Sequence, residues 1–371
     1  MHQHIQTICI NAESYAADKA KQTSPSTPSF LQNLFTAQYG DNSFQVSLAN
    51  FLSEWFDDKE TIKVHTSGST GTPKELLVEK QRMLNSARAT VAFLQLKRGD
   101  TALLCMPLPY IAGKMVVVRS LTAGLNLLPV TPCGHPLHNL PSIPDFAAMT
   151  PMQVFNTLEI PEEREKLMQI KHLIIGGGAI SADMARVLKD FPHAVWSTYG
   201  MTETLSHIAL RRLSGNEASD WYTPFEGVNV SCSEENTLII QAPSICPEIL
   251  HTNDIVTFNE KGQFRILGRK DNTINTGGIK VQIEEVENAL QGELSIPFMI
   301  TAAPDAKFGE HIVLLLEKIQ PEKEELERIF HKLPAYWKPR DIIVVDKLPL
   351  TGTGKPDRAT AKRLANSKRL L

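Results

Sequence analysis

Two apolar runs that end in small or polar residues constrain this chain most. "DTALLCMPL" (residues 100–108) and "HLIIGGGAI" (172–180) read as buried strands that run into loops. Segments elsewhere, "KQRMLNSARATVAFLQL" and "SADMARVLKDF", carry helical periodicity, and Ser181 stands where a helix N-cap is wanted. Alternation of this kind specifies an α/β fold. Ligands of open α/β sheets bind beyond the strand ends, so the loops there are where chemistry is to be sought.

After about residue 205 the texture changes to short strands and turns, as in "NTLIIQAPSI" and "DIVTFNEKGQFRILGR", where "NEKG" reads as a hairpin turn. Beyond "GRKDN" come a helix at "IEEVENALQ", a strand at "EHIVLLLEKI" and a charged helix at "EKEELERIFHKL". We place a boundary at Lys270 and Asp271, which gives residues 1–269 and 270–371.

Composition sets limits around this frame. At 371 residues, 42% hydrophobic and 21% charged, the chain is an ordinary globular one with room for more than one domain. A net charge of -3 leaves no electrostatic footprint for nucleic acid. No apolar segment approaches the roughly 18 residues that span a bilayer, and the N-terminus lacks a leader pattern, so we expect a cytoplasmic protein without membrane insertion. Cys9, Cys105, Cys133, Cys232 and Cys246 are scattered and unpaired in pattern, which suggests neither a disulfide framework nor a zinc site.

Three loops draw notice. "VHTSGSTGTPKE" (64–75) packs hydroxyls and glycines around Lys74. It is either a plain solvated turn or a bend whose hydroxyls and N–H groups wrap a phosphate chain; the spacing around Lys74 rules out a Walker A cradle. "IIGGGAI" lets a planar ligand lie against backbone, or is only a tight strand-to-helix turn. "STYGMTETLSH" sets Glu203 among hydroxyls, a hard-oxygen group suited to Mg²⁺, or else a solvated carboxylate.

The motifs "TSGSTGTPKE", "YGMTET", "TNDIV", "GRKDNTINTGGIKVQIEEVE" and "PLTGTGKP" occur in the order characteristic of the adenylate-forming superfamily, which includes acyl-CoA synthetases, peptide-synthetase adenylation domains and luciferases, and the chain resembles that superfamily over residues 64–358. Within it the chain is most similar to the o-succinylbenzoate–CoA ligases, in a short form. The resemblance implies a large N-terminal domain of mixed α/β sheets, shortened at its start, and a small mobile α+β C-terminal domain that turns about Asp271. It implies ATP, Mg²⁺ and coenzyme A as small-molecule partners beside a carboxylic acid, in a monomer or a homodimer.

Site residues follow from the same resemblance. Thr66, Ser67, Gly68, Ser69, Thr70, Gly71 and Lys74 would hold the leaving pyrophosphate. Glu203 would hold Mg²⁺ and Thr202 would touch the α-phosphate. Gly178, Ala179, Tyr199, Gly200 and Met201 would frame the adenylate, with Asp254 and Arg269 on the ribose. Lys355 would reach the oxygens where charge develops during adenylation; Gly277, Gly278 and Lys280 would serve the thiol step. Tyr110, Gly113, Lys114, Ser206 and His207 would border the acid, with Ser206 and His207 favoured over Lys114 and Arg119, which also read as solvated helix residues. Glu75, Tyr110 and Asn272 depart from the usual pattern, and Tyr110 in place of a histidine bears on the size of the acyl pocket. An enzyme for another carboxylic acid and a non-catalytic nucleotide-binding paralogue are the alternatives.

Overall fold

The computed structural model describes residues 7–24, 27–65, 75–178, 180–350 and 356–367. It divides into two compact units, one built from the chain up to Asn229 together with Gln241–Ile249, the other from Val230–Ile240 and Leu250–Leu371. The α/β class expected from the alternation is the one found.

In the first unit a nine-stranded sheet runs in the order Thr223–Pro224, His207–Arg212, Ala194–Gly200, His172–Ile175, Phe146–Met149, Thr101–Leu104, Asn126–Pro129, Thr7–Ile10 and Glu13–Ala16. Its middle, from Ala194–Gly200 across to Thr7–Ile10, is parallel, and antiparallel strands close both sides. Parallel strands need both faces covered. Accordingly Phe146, Ala147, Ala148 and Met149 are all buried, within a core that includes Leu103, Leu173, Ile175 and Leu188. The chain leaves Thr101–Leu104 for a neighbour on one side and returns to Phe146–Met149 on the other, so the strand order reverses between these two. Gln153 spans that crevice, its amide donating to the carbonyls of Cys105 at 3.1 Å and Cys133 at 3.0 Å.

Helices form where the periodicity places them. Lys80–Leu94 covers the first helical segment, and Ala182–Lys189 starts at Ser181, whose hydroxyl accepts from Met184 N at 3.2 Å. Ile111–Ala123 is buried at every position from Gly113 to Leu121, so it is a central helix with no solvated face. The hairpin Thr61–His65 and Glu75–Glu79 is in register from Thr61↔Glu79 to His65↔Glu75. Its far end meets the helix start, where His65 N donates to Pro109 O at 3.2 Å. Its other end is stapled by Lys80, a fully buried cation 2.7 Å from Asp57 Oδ1.

The second unit contains a hairpin in which Asp254–Phe258 pairs with Phe264–Arg269. Its turn closes with Gly262 N donating to Asn259 O, and Gly262 sits at φ 73°, where a side chain would be strained. A five-stranded sheet follows, in which Gly309–Glu317 pairs with Phe298–Asp305, Thr273–Thr276 and, in parallel, Asp341–Val345. Successive residues of Gly309–Glu317 face opposite ways: Ile312, Leu314 and Leu316 join one core with Val286 and Ile329, while Val313 and Leu315 join another with Ala361 and Ala365.

Candidate active site

Because His172–Ile175 and Ala194–Gly200 are parallel neighbours, the loops after them emerge from the same edge of the sheet. Glycine is required in both. A Cβ on Gly176 would stand 2.3 Å from Thr198 Oγ1, and one on Gly200 would stand 2.3 Å from Ser206 O. Gly177 adopts φ 85°, and the surface of Gly178 opens beside Pro151. Beyond Gly200 the loop folds on Thr204: its hydroxyl accepts from Met201 N and lies within hydrogen-bond distance of the carbonyls of Met201 and Ser206. This holds Thr202 half-buried and leaves Glu203 exposed, with no protein partner among the described residues. Tyr199 is buried on the strand below, 5.9 Å from the Tyr222 ring.

The acid-facing candidates are placed by the buried central helix. Tyr110 precedes it and is exposed; Gly113 packs so closely that a Cβ would lie 2.5 Å from Pro107 O. Lys114 and Arg119 are both buried, so neither is a solvated helix residue. Lys114 turns away toward Glu54 at 3.7 Å and lies over the Phe51 ring, and burial lowers its pKa. Arg119 is different. It donates to Ser206 Oγ at 2.7 Å, its Nε has no partner among the described residues, and burial brings its guanidinium down to about 9, still cationic at neutral pH. His207 is buried with both ring nitrogens occupied, by Thr90 Oγ1 at 3.0 Å and Ser206 Oγ at 3.3 Å. Burial first, and then the Arg119 charge, hold its pKa well below 6.5.

In the second unit Asp254 and Arg269 face each other across the hairpin register. Asp254 is buried and Arg269 donates to it at 2.9 Å, while a second guanidinium nitrogen reaches Asp271 at 3.0 Å. Asn253 also donates to Asp271. Gly277 and Gly278 make the turn between Thr273–Thr276 and Ile279–Gln282 at φ 61° and 84°, with Lys280 exposed after it. A pocket of about 150 Å³ opens beside this turn, lined by Gly277, Phe308, Tyr336, Lys338 and Arg340 among others. Arg340 stacks 4.1 Å from the Phe308 ring centre.

The sequence pattern of the family described as "AMP-binding enzyme" matches residues 15–234. The chain belongs to that family. Known relatives of this AMP-binding enzyme include a protein named "Probable 2-succinylbenzoate–CoA ligase" from Mycobacterium tuberculosis, 28% identical over 338 residues that cover 84% of this chain and 86% of the relative. A solved acyl-CoA synthetase (AMP-forming)/AMP-acid ligase II-like protein from Dyadobacter fermentans is 30% identical, covers 89% of this chain and 95% of its own, and superposes with a TM-score of 0.61. The o-succinylbenzoate–coenzyme A synthetase of Bacillus subtilis, solved with ATP and magnesium ion, shares the fold at TM-score 0.65 and 20% identity, over 80% of this chain and 68% of that one.

The residues expected around the nucleotide, Gly178, Tyr199, Gly200, Met201, Thr202 and Glu203, lie on two adjacent loops and the strand between them, and Ser206 and His207 continue directly from the second. Asp254, Arg269 and Asp271 form one hydrogen-bonded group. Thr66, Ser67, Gly68, Ser69, Thr70, Gly71, Lys74, Ala179 and Lys355 lie outside the described residues. No group of three or more metal-ligating side chains gathers among the described residues, so a magnesium ion here would take Glu203 together with oxygens of the nucleotide. Thr90, Tyr336, Lys338 and Arg340 were not among the sequence candidates; the last three belong to the aromatic and cationic run "AYWKPR" and line the pocket beside the turn.

Proposed function

We propose that this AMP-binding enzyme is an ATP-dependent acid–CoA ligase of the cytoplasm, and that its acid is o-succinylbenzoate. The observation that carries the reading is Arg119: a buried cation that touches a serine hydroxyl and, among the described residues, no carboxylate. A lone buried charge is costly to keep unless something pairs with it. An aromatic carboxylate that stays anionic through the reaction supplies that partner, and relatives that bear the o-succinylbenzoate name support the choice of acid.

In this mechanism the succinyl carboxylate attacks the α-phosphorus of ATP and pyrophosphate leaves. The CoA thiol then attacks the mixed-anhydride carbonyl and AMP leaves. Thr202 would bind the α-phosphate, and Glu203 would hold Mg²⁺, which when bound supplies charge neutralisation to the phosphates. Lys355 stabilises the charge that develops in the first step, and 66–74 hold the pyrophosphate. Asp254 accepts from the ribose hydroxyls while Arg269 fixes its orientation. The second step falls to the Gly277–Gly278 turn, where Tyr336, Lys338 and Arg340 offer a ring and two cations to a phosphorylated nucleotide. Turning of the C-terminal region about Asp271 separates the two steps.

A pyrophosphate-release screen of the purified protein with ATP, Mg²⁺ and a panel of acids, with and without CoA, tests this. o-Succinylbenzoate should give its mono-CoA ester at the succinyl end, and an analogue without the ring carboxylate should be a much poorer substrate. Equal turnover of hexanoate or benzoate would leave the family standing and remove the substrate. No pyrophosphate release with any acid would favour a non-catalytic nucleotide-binding protein.

A further inference from the structure

We propose that Thr90 is a positioning residue for the acid, acting through His207 and Ser206 on Arg119; this role rests on the substrate reading above. The observation is a chain of four contacts that one set of hydrogen-bond directions satisfies throughout. Thr90 Oγ1 lies 3.3 Å from the carbonyl of Ser86, which can only accept, and in this assignment it takes the Thr90 proton. The hydroxyl can then only accept from His207 Nε2 at 3.0 Å, which places the imidazole proton on Nε2. His207 Nδ1 is left as an acceptor, and its donor is the Ser206 hydroxyl at 3.3 Å. Ser206 therefore turns its lone pairs toward the Arg119 Nη2–H at 2.7 Å.

Each link depends on the one before it. The His207 ring stays neutral because burial and the Arg119 charge both oppose the imidazolium. It is also held by the Phe225 ring, edge to face at 5.4 Å. Arg119 gives one N–H to a correctly turned serine and keeps its remaining donors for an anion. Without the Thr90 hydroxyl, His207 Nε2–H would be a buried donor with no acceptor. The imidazole would then move its proton to Nδ1 and donate to Ser206, whose own proton loses its acceptor, so that the hydroxyl turns out of the orientation that meets Arg119.

Thr90→Val keeps the shape and removes the hydroxyl; Thr90→Ser restores it. We expect Thr90→Val to raise KM for o-succinylbenzoate about tenfold, the scale of one hydrogen bond to a charged group, with a smaller effect on kcat. Turnover of the analogue without the ring carboxylate should not change, and Thr90→Ser should recover the wild-type KM. Nitrogen-15 spectra should show His207 as the Nε2–H form at pH 7 in the wild type and as a different form in Thr90→Val. A wild-type His207 protonated on Nδ1, or on both nitrogens, overturns the proposal whether or not the variant folds. So does an equal loss on both acids. A wild type that ignores the ring carboxylate overturns the substrate reading and this role with it; discrimination that survives intact in Thr90→Val overturns the Thr90 role alone.

Discussion

Replacing Arg119 with methionine separates recognition from stability. The guanidinium is fully buried with one hydrogen bond, to Ser206, and an Nε without a partner among the described residues. Losing that bond to a charged group costs about 1.5–3 kcal/mol, whereas removing an unsatisfied buried donor returns about 1–3 kcal/mol and removing the buried charge returns more, so the loss is offset or exceeded. Methionine is unbranched and fills most of the vacated path. Urea denaturation of Arg119→Met should therefore give a stability equal to wild type or up to about 2 kcal/mol higher, in line with the gain seen when buried ions become apolar. Binding changes the other way. Truncating one side of a buried, hydrogen-bonded charge pair costs about 2–5 kcal/mol, which corresponds to a fall in kcat/KM for o-succinylbenzoate of about thirtyfold to several thousandfold. Pyrophosphate release and urea midpoints, measured on one preparation, decide the matter. A variant that loses 2 kcal/mol or more and is impaired equally on o-succinylbenzoate and its decarboxylated analogue refutes the reasoning, because Arg119 would then be a structural cation.

The Lys80–Asp57 pair should respond unequally to its two deletions: Asp57→Ala leaves a fully buried ammonium and should cost about 3 kcal/mol, whereas Lys80→Met leaves a partly solvated carboxylate and should cost under about 1 kcal/mol, both read by urea unfolding. His207 is held neutral in the folded state, so the unfolded chain takes up a proton first; stability should be fully present above pH 6.5 and fall below it by at most about 1.4 kcal/mol per pH unit, a slope that His207→Gln should reduce. Lys355→Ala should cut acyl-adenylate formation by about two to three decades and spare thioester formation from presynthesised adenylate, as stopped assays of the two half-reactions would show. A bulky residue at Gly278, a position at φ 84°, should do the reverse; wild-type CoA transfer in that variant would exclude the turn from the thiol step.

What could be read ahead of the structure was local. Ser181 caps its helix, the "NEKG" segment makes its turn and Gly176 after His172–Ile175 packs on Thr198, because each depends on neighbours in sequence or on one adjacent strand. Lys114 and Arg119 stand near the expected acyl site, yet either one taken alone reads as a solvated helix residue, because charged side chains are seldom fully buried. Their helix has no outer face, a fact set by strands and helices far off in the chain. His207 became a candidate by its place after "YGMTET". Its partner Thr90 is 117 residues away on the helix Lys80–Leu94, and no spacing rule could find it. The division of the chain was hidden for a similar reason: Val230–Ile240 groups with the second unit although it lies well before Lys270.

The N-terminal strand bears on how such a chain comes to be folded. Thr7–Ile10 is made well before its parallel partner, Asn126–Pro129, and Cys9 meets Asn126 across 117 residues of chain. During synthesis that strand has no place to go until the Asn126–Pro129 segment has left the ribosome. The antiparallel hairpin with Glu13–Ala16 is the local structure open to it in the meantime. Distant pairings of this kind are slow to form, and until this one does, Asn126–Pro129 presents an open, apolar edge of the sort that recruits strands from other chains. That one long-range pairing is then also a step that keeps neighbouring copies apart.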